Sequence, residues 1–199
     1  MKHIIIITAI LTVLSCKAQS PIIALGDYQT ELVNGAYLKD INNDLNFFEG
    51  TWKYENDNTS FTISLRKIVQ YYNGSWYEDL LIGDYKYVEN GIVIANYLPR
   101  LTNPSVNDAQ HYITGNFIVN KNQVPRCEEC DASDRRFKLS FADPERRYIK
   151  CQVILRHFIE DSIEKIKIWL YHSDGGMLPY EDTPTVIRVP YGEYVLVKQ

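Results

Sequence analysis

From residue 47 onward hydrophobic side chains recur at every second position, the period at which strand residues alternate between two faces. In FTISLRK, Phe61, Ile63 and Leu65 alternate with Thr62, Ser64 and Arg66. RRFKLSF places Phe137, Leu139 and Phe141 on one face, and RYIKCQVILRHF does the same for Ile149, Cys151, Val153, Leu155 and His157. SWYEDLLIGDYKYV, IVIANYL, HYITGNFIVN, KIKIWLY and a final YVLVK complete the run. Asn73-Gly74 predicts a type I′ hairpin, whose two central residues both need positive φ, and Glu89-Asn90-Gly91 marks a second turn. Almost nothing reads as helix, and the turns leave no room for βαβ crossovers. The pattern predicts an all-β domain, an antiparallel up-and-down meander of roughly eight or nine strands. Such a meander has two edges to protect. Closure into a lipocalin-like barrel, with residues 194–198 pairing near residues 51–54, protects both; a β-sandwich is the alternative.

The chain begins differently, MKHIIIITAILTVLSC. Lys2 precedes an apolar run over residues 4–14, which is too short to span a bilayer and has the length of a signal-peptide core. The run ends Val13-Leu14-Ser15-Cys16, which resembles the lipobox of bacterial lipoproteins. That resemblance implies cleavage before Cys16 and lipidation of Cys16, hence a membrane partner reached through acyl chains; each buried CH₂ contributes about 0.8 kcal/mol to such anchoring. Residues 1–15 are expected to be the signal peptide, 16–45 a lipidated tether partly docked on the domain, and 46–199 the barrel. Pro21, Gly26, Gly35 and Asn42-Asn43-Asp44 punctuate the tether. Lys17 stands where an inner-membrane retention signal would have Asp, and no acidic cluster follows Cys16. The resemblance therefore implies the outer membrane, periplasmic face, with the cell surface as the alternative.

Composition narrows the partners. The 199 residues are 45 % hydrophobic and 23 % charged, ordinary for a globular domain with a proper core. A net charge of −4 argues against a nucleic-acid partner, and the basic pairs Arg135-Arg136 and Arg146-Arg147 each have Asp or Glu nearby. The 15 Tyr suit half-buried strands.

Gly50-Thr51-Trp52, at the head of the first strand, resembles the Gly-x-Trp start of lipocalin-like barrels. The resemblance implies that Trp52 plugs the barrel floor, that Gly50 permits close approach of the preceding segment, and that Arg188 or Lys198 packs over Trp52 through a cation–π contact. Phe47-Phe48 would cap the closed end. Over nearly its whole length the chain also resembles a flavobacterial (Bacteroidota) lipoprotein family of unknown function. The likeness lies in the lipobox followed by Lys17-Ala18-Gln19, in YLKDINNDLNFFEGTWKYE and in YEDLLIGDYKYVENG. It implies location and fold, and no activity.

Candidate chemistry is sparse. With Cys16 lipidated, Cys127, Cys130 and Cys151 remain, and an oxidising compartment favours a disulfide, either Cys127–Cys130 or one of these with Cys151. A single C-x-x-C lacks the four ligands of a zinc site, so no metal and no cofactor are expected. Glu128 and Glu129 between the thiols oppose a redox role. His172-Ser173-Asp174 cannot converge on an extended strand, where neighbours point to opposite faces, and Glu78-Asp79 reads as a solvated strand edge for the same reason. No catalytic residue emerges, and an enzyme with an unrecognised site is the least favoured function. A lipid-anchored binding or interaction module, with a protein partner among the options, is favoured. The alternative is a lipocalin-like carrier of a small apolar ligand lined by Trp52, Phe61, Ile63, Leu139, Phe141, Val153 and Leu155.

Overall fold

The computed structural model describes residues 20–27, 29–123, 125–131, 133–173, 175, 180 and 182–199. Cys16, the signal-like segment before it and Asp174 lie outside the described residues.

Among the described residues, eleven strands form one sheet. In chain order they are β1 (Ile22–Ala24), β2 (Tyr37–Lys39), β3 (Gly50–Asn56), β4 (Thr59–Tyr72), β5 (Tyr77–Glu89), β6 (Ile92–Asn96), β7 (Ile113–Val119), β8 (Arg136–Phe141), β9 (Cys151–Glu160), β10 (Ile163–His172) and β11 (Gly192–Lys198). Eight of them close an antiparallel barrel in the order β5-β4-β3-β11-β10-β9-β8-β7, and β7 returns to β5. The terminal strand meets the first at Val197↔Lys53 and Lys198↔Trp52, the closure expected from the sequence. β6 is not a barrel strand. One edge of β5 is shared by β2 at Tyr77–Glu78, by β7 at Leu81–Gly83 and by β6 from Lys86 onward, so IVIANYL folds back as a side hairpin.

Turn chemistry explains the connections. Asn90 and Gly91, at φ 51° and 78°, form the two-residue loop between β5 and β6, and Asp161-Ser162 does the same between β9 and β10 at φ 52° and 64°. Asn73-Gly74 turns differently from the type I′ expectation. Gly74 has φ 104°, but the loop is four residues long, and the Asn73 carboxamide oxygen accepts from the amides of Ser75 and Trp76. That side-chain turn satisfies the backbone without a second positive φ.

The period-two pattern buries one face of each strand. Phe61, Ile63, Tyr85, Phe137, Leu139, Val153, Leu155, Ile168 and Leu196 belong to a single core cluster. Gly83 is interior and cannot carry a side chain, because an added Cβ would sit 2.4 Å from the Ser64 carbonyl oxygen. The outward face of β5 is also buried at Leu80, Ile82 and Asp84.

The end of the barrel reached by the start of β3 is the floor. A one-turn 3-10 helix, Asp44–Phe48, lies across it. Phe48 packs edge-on against Phe137 at 5.3 Å, and the Trp52 indole N–H donates to the Phe48 carbonyl at 2.8 Å. Lys198, rather than Arg188, lies over the Trp52 ring at 5.3 Å. Gly50 is required for its φ of 120°, not for close approach of the preceding segment, since its added Cβ would meet only the Lys198 side chain at 3.6 Å. Phe47 stays exposed and stacks on His157 at 5.3 Å.

His157 closes this layer with a buried, unpartnered Nε2. Burial holds its pKa below the ordinary value of 6.5, with Glu164 pulling it up and Lys198 pushing it down. The unfolded chain takes up a proton near pH 6.5 while the folded floor resists it. His157 therefore contributes stability above that pH that is lost as the pH falls towards the folded value. Urea unfolding of wild type and His157→Phe at pH 7.5 and 5.5 checks this: the variant is expected to lose less stability on acidification.

Residues 20–45, which show no sustained period, are tied to the floor by buried carboxylates. β1 pairs with β2, and β2 with β5, both in parallel. Asp79 is a correction to the sequence reading: it is buried, and it accepts from Tyr37 Oη at 2.5 Å, from Asp40 N at 3.0 Å and from Gln70 N at 2.9 Å. Asp40 in turn receives the amides of Asp44 and Leu45 and the Lys67 ammonium. Its neighbour Glu78 points the other way, to Asn73 and Asn116, as alternation requires.

Candidate functional site

The opposite end, the mouth, is built from the ends of β8 and β10 and the starts of β7 and β9. Beneath it the interior is aromatic. Phe61 packs edge-on with Tyr85, Tyr87, Phe141 and Tyr194 at 5.2 to 6.3 Å, and Tyr85 lies 4.6 Å from Phe141. The Tyr85 hydroxyl is buried without a hydrogen-bond partner, and desolvation raises its pKa strongly.

A buried ion pair covers this layer. Arg188, on the segment before β11, makes a bidentate contact with Asp143, Nε to Oδ2 at 3.0 Å and Nη2 to Oδ1 at 2.6 Å. Its remaining donors reach Tyr97 Oη at 2.7 Å, Glu145 at 2.5 Å and the Ile94 carbonyl at 3.3 Å. Asp143 is fully buried, and it also accepts the amides of Arg188 and Glu145. Desolvation works against its charge, but the Arg188 hydrogen bonds and charge outweigh it and hold the carboxyl below the ordinary range. One arginine thus links three chain segments across the mouth, its own, residues 94–97 and residues 143–145.

Beside this latch an open cleft of about 850 Å³ separates the segment leading into β7 from the β8–β9 connection. Three cations line it: Arg100, Arg147 and Lys150. Tyr112, Gln152 and Ser173 add polar groups, and Phe141 joins the cleft wall to the aromatic interior. No carboxylate lines the cleft among the described residues.

Arg100 is held in place. Pro99 starts the 3-10 helix Leu98–Thr102 that carries it, Nη2 donates to the Gln110 carbonyl at 3.0 Å, and the guanidinium lies 4.5 Å over the Tyr112 ring. Behind it sits buried Asp84, whose carboxylate is occupied by His111 Nδ1 at 2.6 Å and Tyr112 N at 3.2 Å. Burial raises the Asp84 pKa against the pull of those donors. Arg100 Nε stays 3.9 Å from Asp84, buried and without a hydrogen bond.

The seven side chains read as a ligand lining (Trp52, Phe61, Ile63, Leu139, Phe141, Val153 and Leu155) come together in one buried core and pack against one another. Of these only Phe141 also lines the mouth cleft. Among the pairings left open, the disulfide is Cys127–Cys130, in the β7–β8 connection at the floor end. Cys151 is a free thiol buried at the mouth, 3.5 Å from Tyr191 Oη. His172 is exposed, and Asp174, the third member of its cluster, lies outside the described residues.

Sequence reasoning missed Arg100, Lys150, Asp84, His111 and Asp143, and treated Arg147 as neutralised by neighbouring acids. Arg147 has no ion-pair partner among the described residues, and Arg146 bonds instead to the Val186 carbonyl. One signal was available: Asp84 interrupts the apolar run LLIGDY, where an ionised side chain needs a local partner.

No curated protein and no solved structure matches the chain. A family model does, along the entire sequence: the chain, matched over residues 1–199, belongs to the family of unknown function DUF6705.

Proposed function

We propose that this protein is a lipid-anchored binding module that holds no cargo inside its barrel and binds through the cleft at its mouth. The observation that carries this reading is the filled interior: large side chains from every barrel strand meet one another, and the floor helix and the Arg188–Asp143 pair close the two ends. Eight-stranded barrels sit at the size where side chains alone fill the lumen. A carrier needs a cavity of roughly 300 Å³ or more, and the core residues proposed as its lining are in mutual contact. The cleft, by contrast, is open and polar.

The geometry also supports the anchor. Ser20 is four residue steps from Cys16, and four steps span at most about 14 Å. Strand β1 then enters beside Tyr37 and the start of β5, at the floor end. Acyl chains on Cys16 would hold the floor against the outer membrane and turn the mouth away from it.

Growing cells with radiolabelled palmitate tests the anchor. Wild type is expected to incorporate label and sediment with membranes. Cys16→Ser is expected to do neither, and equal labelling of the two would overturn the anchor.

A further inference from the structure

The reading of the mouth cleft as the binding face leaves its ligand open, and the inference here rests on that reading. We propose that the cleft binds a small multivalent anion bearing carboxylate or phosphate groups, gripped jointly by Arg100, Arg147 and Lys150.

The distribution of charge carries the inference. The protein has net charge −4, and nine of the sixteen other described Lys and Arg side chains are held in ion pairs. Lys67 pairs with Asp40, Arg156 with Asp134, and Arg188 with Asp143. A second cleft, near the disulfide, gathers Arg126, Arg136, Arg156 and Lys167, but there Glu129 and Glu193 line the wall and pair with Lys167 at 2.8 and 3.0 Å, Asp134 pairs with Arg156 at 2.9 Å, and Arg136 is held by the Pro125 carbonyl. In the mouth cleft that compensation is confined to Arg100, whose Nε lies 3.9 Å from Asp84. Arg147 and Lys150 are exposed and have no acidic partner among the described residues. Asp84 lies behind Arg100 and also accepts from His111 and Tyr112, and no carboxylate lines the cleft itself among the described residues.

Concentrating three cations in an otherwise acidic protein costs electrostatic free energy, and an anion removes that cost. Arg100 adds geometry. Its guanidinium is fixed by Tyr112 and the Gln110 carbonyl and its Nε is buried towards Asp84, which leaves Nη donors for a carboxylate or phosphate, held in place before the ligand arrives. Arg147 and Lys150 lie on the β8–β9 connection across from it and supply flexible charge. Ser173 and Gln152 give neutral hydrogen-bonding groups for the rest of the ligand. The cleft volume, about 850 Å³, suits a small molecule.

Calorimetric titration of the full-length protein in a nonionic detergent at low ionic strength tests this, with pyrophosphate, citrate and neutral trehalose as probes. Saturable binding is expected for at least one anion and not for trehalose. Preference for pyrophosphate marks a phosphate ligand, and preference for citrate marks a carboxylate ligand. Arg147→Gln/Lys150→Gln is expected to weaken binding at least tenfold. Lys121→Gln/Arg126→Gln removes the same charge at the floor end and is expected to leave affinity unchanged. All four positions lie in connections between strands, so unfolding midpoints should match wild type. Absence of saturable binding by either anion, or equal weakening in both double variants, would overturn the inference. Neither outcome bears on the filled interior, whose failure would show separately as cargo within the barrel.

Discussion

Trp52→Ala is expected to lower the unfolding free energy by about 3–5 kcal/mol, the cost of deleting a large, fully buried aromatic side chain. Three contacts fail together. The indole N–H no longer satisfies the Phe48 carbonyl, the His157 ring loses its edge-on neighbour at 6.1 Å, and Lys198 loses the ring beneath it. The floor helix is also held by Phe48 against Phe137 and by Asp40 at the Asp44 and Leu45 amides, so it is not free to collapse into the space. Urea unfolding of the full-length protein measures the loss. For a domain of this size, about 1 kcal/mol corresponds to roughly 2–4 °C in Tm, so the midpoint should fall by on the order of 10 °C. Lys198→Met separates the contributions. Its ammonium is part-exposed, and the variant is expected to cost less than about 1 kcal/mol. A Trp52→Ala protein as stable as wild type would show that the ring is not the floor plug.

Asp143→Ala should be about as damaging, for a different reason. It removes no large volume but leaves the Arg188 guanidinium at the mouth without its main counter-ion, and breaking one partner of a buried pair costs about 3–5 kcal/mol. Asp143→Ala/Arg188→Met, which removes both charges, is expected to recover much of the loss. The pH dependence has a definite sign. Asp143 is held below its unfolded value, so its contribution is complete above that value, about pH 4, and fades as the pH falls through the folded pKa. The gap in stability between wild type and Asp143→Asn should therefore be full at pH 6 and shrink steadily below about pH 4. A gap that stays constant with pH would show that the pair does not hold the mouth shut.

The strands were legible because alternation is a one-dimensional signal. A face of Phe61, Ile63 and Leu65 is buried wherever the partner strand lies, and a terminal strand with the same pattern has one free edge to meet. The type of a turn was less legible. Asn73 satisfies the backbone through its own side chain, and nothing in the Asn-Gly pair distinguishes that from a type I′ loop. Residues 20–45 carry no period because their strands are three residues long and are held by carboxylates at Asp40 and Asp79 rather than by an apolar stripe. Asp79 was misread because it lies on the same face of β5 as Leu81, at the floor end, where residues 20–45 bring it the Tyr37 hydroxyl and the Asp40 amide.

The cleft was the least legible part. Arg100 falls on the β6–β7 connection and Arg147 and Lys150 on the β8–β9 connection, and each looks like an ordinary surface cation in sequence. Only barrel closure brings them to one rim, and only their three-dimensional neighbours show that acids near Arg147 in sequence do not pair with it. Cys127–Cys130 shows the opposite case, since two residues so close in the chain need no fold to bring them together.

Native mass spectrometry of the full-length protein, released from detergent after purification from membranes, tests the filled barrel most directly. The expected spectrum shows the acylated chain, lighter by the two hydrogens of one disulfide, with no apolar adduct. An apolar molecule of defined mass that travels with the folded protein and leaves on denaturation would contradict the account, because the interior would then be a carrier pocket.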